Sequence, residues 1–270
     1  HSVKLARKLQ KKKHRRERGL LVCEGLDLLH LAVQAGAEIG DVLVRRDTLD
    51  ELPADLLRRA DAGGADIGVC SEETLAQASS LGGGADVIFV CRQPQWSLSD
   101  LDLSGGLSVY VEEVGDPGNV GTLVRGCAGF GATGLIASPG TADPYGPKAM
   151  RAGMGAQFLV PVVLEVTAAD LQARLGSLVA AGSPAPEVLV ADPHRGLDAR
   201  EVRRSGGALV VLGSERLGPS AHWDDHGRVT IPQARFDSLN VAMAGTILLY
   251  ELYRRPEGEG AASASGSSDR

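Results

Sequence analysis

Short apolar runs rich in β-branched residues alternate along the chain with stretches whose apolar positions recur every three to four residues. The runs LLVCEG (20–25), DVLVRR (41–46), ADIGVC (65–70) and ADVIFVCR (85–92) read as strands. Between them, LDLLHLAVQAG (26–36), ADLLRRADAGG (54–64) and SEETLAQASS (71–80) read as helices. Gly36 supplies a C-terminal stop, and Ser71 an N-cap followed by Glu72 and Glu73 in the first turn. This alternation predicts a first α/β unit over 19–92, and the polar, turn-rich stretch 93–106 reads as a linker. A second alternation starts at LSVYVEEV (107–114). It continues through strands at 134–138, 187–192, 208–213 and 227–232, with helices at 119–131, 167–181 and 238–255. Residues 256–270 lack aromatic and bulky aliphatic side chains and are expected to be disordered. There is no internal repeat.

Composition narrows the class. Of 270 residues, 43% are hydrophobic and 23% charged, as in soluble globular chains. No apolar run approaches the ~20 residues of a spanning helix, and no signal peptide pattern opens the chain, so a cytoplasmic protein without membrane contact is expected. Cys23, Cys70, Cys91 and Cys127 are far apart and form no CxxC pair, which fits reduced thiols serving as small hydrophobes. Six scattered histidines show no metal spacing, and no metal is expected.

The net charge of −6 conceals an asymmetry. Residues 1–18 carry nine Lys and Arg against the single acid Glu17, which leaves 19 basic and 33 acidic residues in the rest of the chain. Such a segment reads as a basic arm for a polyanion, with a solvated helix or a disordered tail as the plainer alternatives. Lys4, Arg7, Lys11, Lys12, Lys13, Arg15, Arg16 and Arg18 are the candidate RNA contacts.

The stretch DPGNVGTLVRGCAGFG (116–131) looks like a glycine loop entering a helix, yet its glycines match neither a dinucleotide fingerprint nor a P-loop. Asp116 to Asn119 is by itself a good turn, and Val120, Leu123, Val124 and Cys127 form an apolar helical stripe with Arg125 beside it. Two other stretches change its weight. LVVLGSERLGPS (209–220) is a strand turning through glycines, and TIPQARFDSLNVAMAGTILLYELYRR (230–255) is a strand, a loop and a long helix opening at Ser238–Asn240. Strand-to-loop transitions are where α/β proteins place ligands.

Taken together, NVGTLVR, LGSERLG and IP followed by SLNVAMA resemble, in order and spacing, the three motifs of the SpoU/TrmH family of the SPOUT class, which methylate RNA ribose 2′-hydroxyls. The resemblance covers 107–255, including the connecting segment DPYGPKAMRAGMGAQFLVPV (143–162). RERGLLVCEGLDLLHLAVQAG more loosely resembles the opening of the family's ribosomal-protein-like adapter. Family members often carry Ser where Ala242 and Gly153 stand here.

The resemblance implies an α/β fold: a C-terminal SPOUT domain with a mostly parallel sheet and a deep trefoil knot, plus a smaller N-terminal α/β domain. It implies S-adenosylmethionine as cofactor, held at Leu212, Gly213, Gly218, Ile231, Leu239 and Asn240. It implies catalytic roles for Arg125, Asn119, Glu215, Ser238 and Asn240. A guanidinium is effectively always protonated, so Arg125 is expected to hold the adjacent phosphate and stabilise the forming alkoxide rather than to act as a base. Asn119 is expected to orient Arg125 or the ribose, Glu215 to fix the arginine or its loop, and Ser238 with Asn240 to shape the cofactor pocket. Lys148 and Arg151 read either as phosphate contacts or as surface charges. The family dimerises, and the apolar positions Val241, Met243, Ala244, Ile247, Leu248 and Tyr250 fit either a homodimer interface or core packing.

The two-domain layout resembles the family's 23S rRNA enzymes, among them antibiotic-resistance methyltransferases of the avilamycin or thiostrepton type. The Ala-, Gly- and Arg-rich composition suits a high-GC antibiotic producer. Alternatives are a tRNA 2′-O-methyltransferase, a non-catalytic ribosome assembly factor, and a dinucleotide-dependent oxidoreductase, the last lacking its glycine fingerprint.

Overall fold

The computed structural model describes residues 1–80, 84–214 and 216–253. The expected tail at 256–270 lies outside the described residues, as does Glu215. The first unit comprises α1 (Ser2–Leu9), α2 (Lys12–Arg18), β1 (Leu20–Glu24), α3 (Leu26–Gln34), β2 (Ile39–Arg45), α4 (Ala54–Ala62), β3 (Asp66–Cys70), α5 (Glu72–Ala76) and β4 (Val87–Arg92). The second comprises β5 (Leu107–Val111), α6 (Pro117–Gly129), β6 (Gly134–Ala137), α7 (Pro147–Ala152), β7 (Val162–Val163), α8 (Ala168–Ala180) and β8 (Glu187–Ala191). It continues with β9 (Leu197–Asp198), β10 (Ala208–Leu212), β11 (Gly227–Thr230) and α9 (Val241–Leu252).

The first sheet runs β1-β4-β2-β3, with β4 antiparallel to both neighbours and β2 parallel to β3. The second runs β7-β6-β5-β10-β8-β11-β9, and every pairing in it is parallel. Parallel strands need crossovers that bury both sheet faces, and β5 and β10 are accordingly buried at every position. The sequence reading therefore holds for the α/β class and the mostly parallel sheet, while β7 and β9, two residues each, carry too little pattern to be seen.

Four readings change in detail. Residues 1–18 are not a separate arm: α1 and α2 belong to the first unit. Ala6 and Leu9 are fully buried against Val22, Leu43 and Ile88, because α1 is amphipathic despite its charge. Within the 93–106 stretch read as linker, Leu101 and Leu103 are buried in the core of the second sheet and the Ser104 carbonyl accepts a bond from the Gly207 N–H. The last helix opens at Val241 with Asn240 as N-cap, so Ser238 and Leu239 stand before it. α6 in turn starts earlier than expected, at Pro117, because Asp116 caps it by accepting the Asn119 N–H at 2.8 Å.

The two units are joined by polar contacts. The Arg15 guanidinium caps α1 through the carbonyls of Leu9 and Gln10 and pairs with Asp143 of the second unit at 2.5 Å. Arg151 of α7 donates to Ser80 at 2.7 Å and lies 3.9 Å from the buried Glu24 carboxylate. Arg15 is only 3% exposed, which removes it from the set able to meet an RNA phosphate.

Candidate functional site

α6 and α9 lie side by side, and α9 also contacts β10. Close approach is written into the sequence: a Cβ at Gly121 would sit 2.2 Å from the Ala149 carbonyl oxygen of α7. The glycine of NVGTLVR is therefore a packing glycine, and no phosphate cradle is required to explain it.

At the C-terminal ends of β8, β10 and β11, beside the start of α9, a cavity of about 480 Å³ opens. Ends of parallel strands leave backbone groups unpaired by the sheet, so ligands of open α/β folds gather there. Leu212, Ile231, Leu239, Val241 and Leu248 give the cavity apolar walls, and Ser238, Asn240, Arg216 and Gln233 add polar groups. All six expected cofactor residues, Leu212, Gly213, Gly218, Ile231, Leu239 and Asn240, line it.

The loop after β10 is drawn tight. The Gly218 N–H donates to the Ser214 carbonyl at 2.9 Å, and a Cβ at Gly213 would lie 2.0 Å from the Gly218 carbonyl carbon. Gly218 itself has φ +67°, a left-handed conformation natural to glycine. Asn240 uses its two side-chain atoms differently. Its Oδ1 caps α9 by accepting the N–H groups of Ala242 and Met243, while its Nδ2 donates to Asn119 Oδ1 at 3.0 Å. The first and third motifs thus meet through Asn119 and Asn240, 121 residues apart.

Arg125 is not among the residues that line this cavity. It is exposed on α6, roughly 9 Å of helical rise beyond Asn119. Glu215 is outside the described residues. Lys4, Arg7, Lys11, Lys13 and Arg18 are exposed, whereas Lys12 and Arg16 share Glu165 as an ion-pair partner. Lys148 is exposed, and Arg151 is engaged between the two units.

Sequence reasoning missed Asp192, Arg216 and Gln233 as pocket residues. Asp192 follows a strand directly, which was its available signal. Burial works against its charged form, but the N–H groups of His194 and Arg195 and the Arg195 guanidinium outweigh that and hold its carboxyl below the usual range. It anchors the turn that forms one wall of the cavity. Cys127 lies buried on α6, its thiol pushed up to about 12 by burial, so it serves packing. Among the described residues, no cluster of His, Cys, Asp and Glu could hold a metal, and no helix is long and apolar enough to cross a membrane.

Residues 106–250 match the model of the SpoU rRNA Methylase family, and residues 1–88 match that of the MRM3-like substrate binding domain. The 23S rRNA guanosine-2′-O-methyltransferase RlmP of Bacillus subtilis is 26% identical over 253 residues, covering 93% of this chain and 95% of that protein. The SpoU methyltransferase AviRb of Streptomyces viridochromogenes, solved with the cofactor AdoMet, superposes with a TM-score of 0.82 at 25% identity, over 92% of this chain and 95% of that one. An AdoMet-bound rRNA methyltransferase from Sinorhizobium meliloti gives a TM-score of 0.76 at 26% identity, covering 92% of each chain.

Proposed function

Because the chain belongs to the SpoU rRNA methylase family, we propose that it uses S-adenosylmethionine to methylate a ribose 2′-hydroxyl of 23S rRNA. The observation that carries the reading is the single cavity lined by all six cofactor residues expected from three separate motifs. The residues fit the group. The walls offer an apolar slot for adenine, and the glycine-tightened loop brings backbone groups to its edge without side chains in the way. When bound, the cofactor supplies an electrophilic methyl on a sulfonium centre.

The protein's own task is then to align a hydroxyl and manage one proton. Asn240 and Asn119 form a polar bracket at the start of α9 that orients the reacting ribose. The Arg125 guanidinium, exposed and permanently charged, holds the neighbouring phosphate and stabilises the developing alkoxide. The hydroxyl proton leaves to that phosphate or to solvent. Ser238 shapes the cavity, and Glu215 is proposed to fix the loop or the arginine. The exposed basic residues of α1 and α2 bind RNA as part of an N-terminal adapter. The reading includes RNA of the large subunit as substrate, supported by the similarity to RlmP, and with it a cytoplasmic location. The reading includes a homodimer, supported by the exposed Met243 and Tyr250 on α9. It also includes the family's threaded C-terminal segment, supported by α9 seating against both α6 and β10.

The test combines titration calorimetry with labelled methyl transfer to 23S rRNA. Wild-type protein is expected to bind the cofactor and transfer label, with primer-extension stops marking the nucleotide. Arg125→Ala is expected to keep cofactor affinity and lose about 100-fold or more in transfer, the scale of one removed alkoxide-stabilising donor. Arg125→Lys, which keeps the charge but loses the planar fork, is expected to be severely impaired as well. Unchanged turnover in Arg125→Ala would remove the arginine from the mechanism, and absence of cofactor binding by the wild type would remove the reading.

A further inference from the structure

Glu112 follows β5 and is only 9% exposed, yet nothing in the three motifs calls for a carboxylate there. Its backbone N–H donates to the Leu212 carbonyl at 2.8 Å, at the very end of β10. Its side chain reaches past the loop that follows. Oε2 accepts the Ser220 N–H at 2.7 Å, and Oε1 accepts the Ser220 hydroxyl at 2.8 Å. One residue therefore grips both ends of the 212–220 loop. The residues between the two grips include Gly213, Ser214, Arg216, Leu217, Gly218 and Pro219, all of which line the cavity.

The loop's internal ties among the described residues are the Ser214–Gly218 bridge and the Leu217 N–H donated to the Ser214 hydroxyl, and Arg216 and Leu217 are exposed. A chain segment with two glycines and few packed side chains gains its geometry from its end points. The Ser220 end is fixed by two bonds to a carboxylate, the stronger kind of hydrogen bond.

We infer that Glu112 is a positioning residue for the methyl-transfer reaction: by clamping Ser220 it sets the shape of the 213–219 loop and thereby the affinity for the cofactor. The inference rests on the proposed reading of the cavity as the S-adenosylmethionine site. It acts through Ser220 and touches neither cofactor nor RNA.

In Glu112→Gln the amide oxygen can accept the Ser220 N–H and the amide nitrogen can donate to the Ser220 Oγ, so both bonds persist but lose the carboxylate's charge and hold the loop more weakly at that end. Cofactor affinity, read by titration calorimetry, is expected to fall about tenfold, the difference between bonds to a charged and to a neutral acceptor. The Michaelis constant for the cofactor should rise in step, while 23S rRNA affinity measured by filter binding stays unchanged. Ser220→Ala removes the hydroxyl bond and keeps the N–H bond, so a smaller loss is expected, and Ser220→Thr should restore affinity. The double variant should lose less than the sum of the two, because both act on one contact. A Glu112→Gln protein that folds, by circular dichroism, and binds the cofactor within twofold of wild type overturns the inference. So does a Ser220→Ala protein with unchanged affinity if Glu112→Gln does not fold. If the wild type itself binds no cofactor, it is the reading of the cavity that has failed.

Discussion

Arg15 and Arg16 are adjacent in a run of basic residues, and their neighbours in the chain give no reason to treat them differently. Their surroundings do. Arg15 is buried and satisfies two carbonyls and Asp143, whereas Arg16 pairs with Glu165 at a half-exposed position. Removing one partner of a buried ion pair leaves a charge without water or counterion, so Arg15→Ala is expected to cost on the order of 3 kcal/mol. Arg16→Ala should cost about 1 kcal/mol or less, as exposed pairs do. Urea unfolding of the two variants checks this, and equal midpoints would contradict the buried role of Arg15. Nothing in the basic run marks Arg15 as inward; the carbonyls of Leu9 and Gln10 and the Asp143 carboxylate, 128 residues away, determine that it points into the protein.

At the scale of elements, the cavity depends on how tightly the loop after β10 turns. A methyl group at Gly213 would collide with backbone atoms of Gly218 and Pro219, both 2.0 Å from the ideal Cβ, and backbone cannot swing aside as a side chain can. Gly213→Ala is therefore expected to abolish cofactor binding in calorimetry while circular dichroism still reports the folded sheet. Retained affinity would show that the loop is looser than its glycines imply. Asn240 illustrates a second rule of elements. A sequence pattern places the helix start to within a few residues, and the cap fixes it, here by accepting the Ala242 and Met243 N–H groups. Replacing Asn240 with Ala should cost about 1 kcal/mol in thermal unfolding from the lost cap. It should also break the link to Asn119, lowering methyl transfer more than stability.

For the whole molecule, the docking of the first unit on the second changes how RNA binding has to be tested. Deleting 1–18 would strip Ala6 and Leu9 from a core and expose Val22 and Ile88, so lost RNA binding after deletion would report unfolding. Neutralising the exposed Lys4, Arg7 and Lys11 leaves the fold intact. RNA affinity is expected to drop, and the slope of log affinity against log salt to flatten by about 0.7–0.9 for each phosphate contact removed. Cofactor affinity should not move. A slope equal to wild type would place the RNA on another face. The Arg15–Asp143 and Arg151–Ser80 contacts tie this basic face to the unit that holds the cavity.

Hydrophobic periodicity alone determined the α/β class, the longer strands and most helices, though not α1, α2 and α7, because burial of one face or of a whole strand is a local demand on residue type. The motif spacing pointed to the residues that line one cavity, since glycine-marked strand ends are equally a local requirement. What the tertiary structure decided is where charges go. The basic segment at 1–18 became part of a core, Arg151 a bridge between units, and Glu112 the clamp of a loop more than a hundred residues downstream. A charged side chain is compatible with solvent anywhere on a surface, so its sequence neighbours do not specify its partner. The partner is set by which distant backbone folds against it, and that information exists only when the chain is folded.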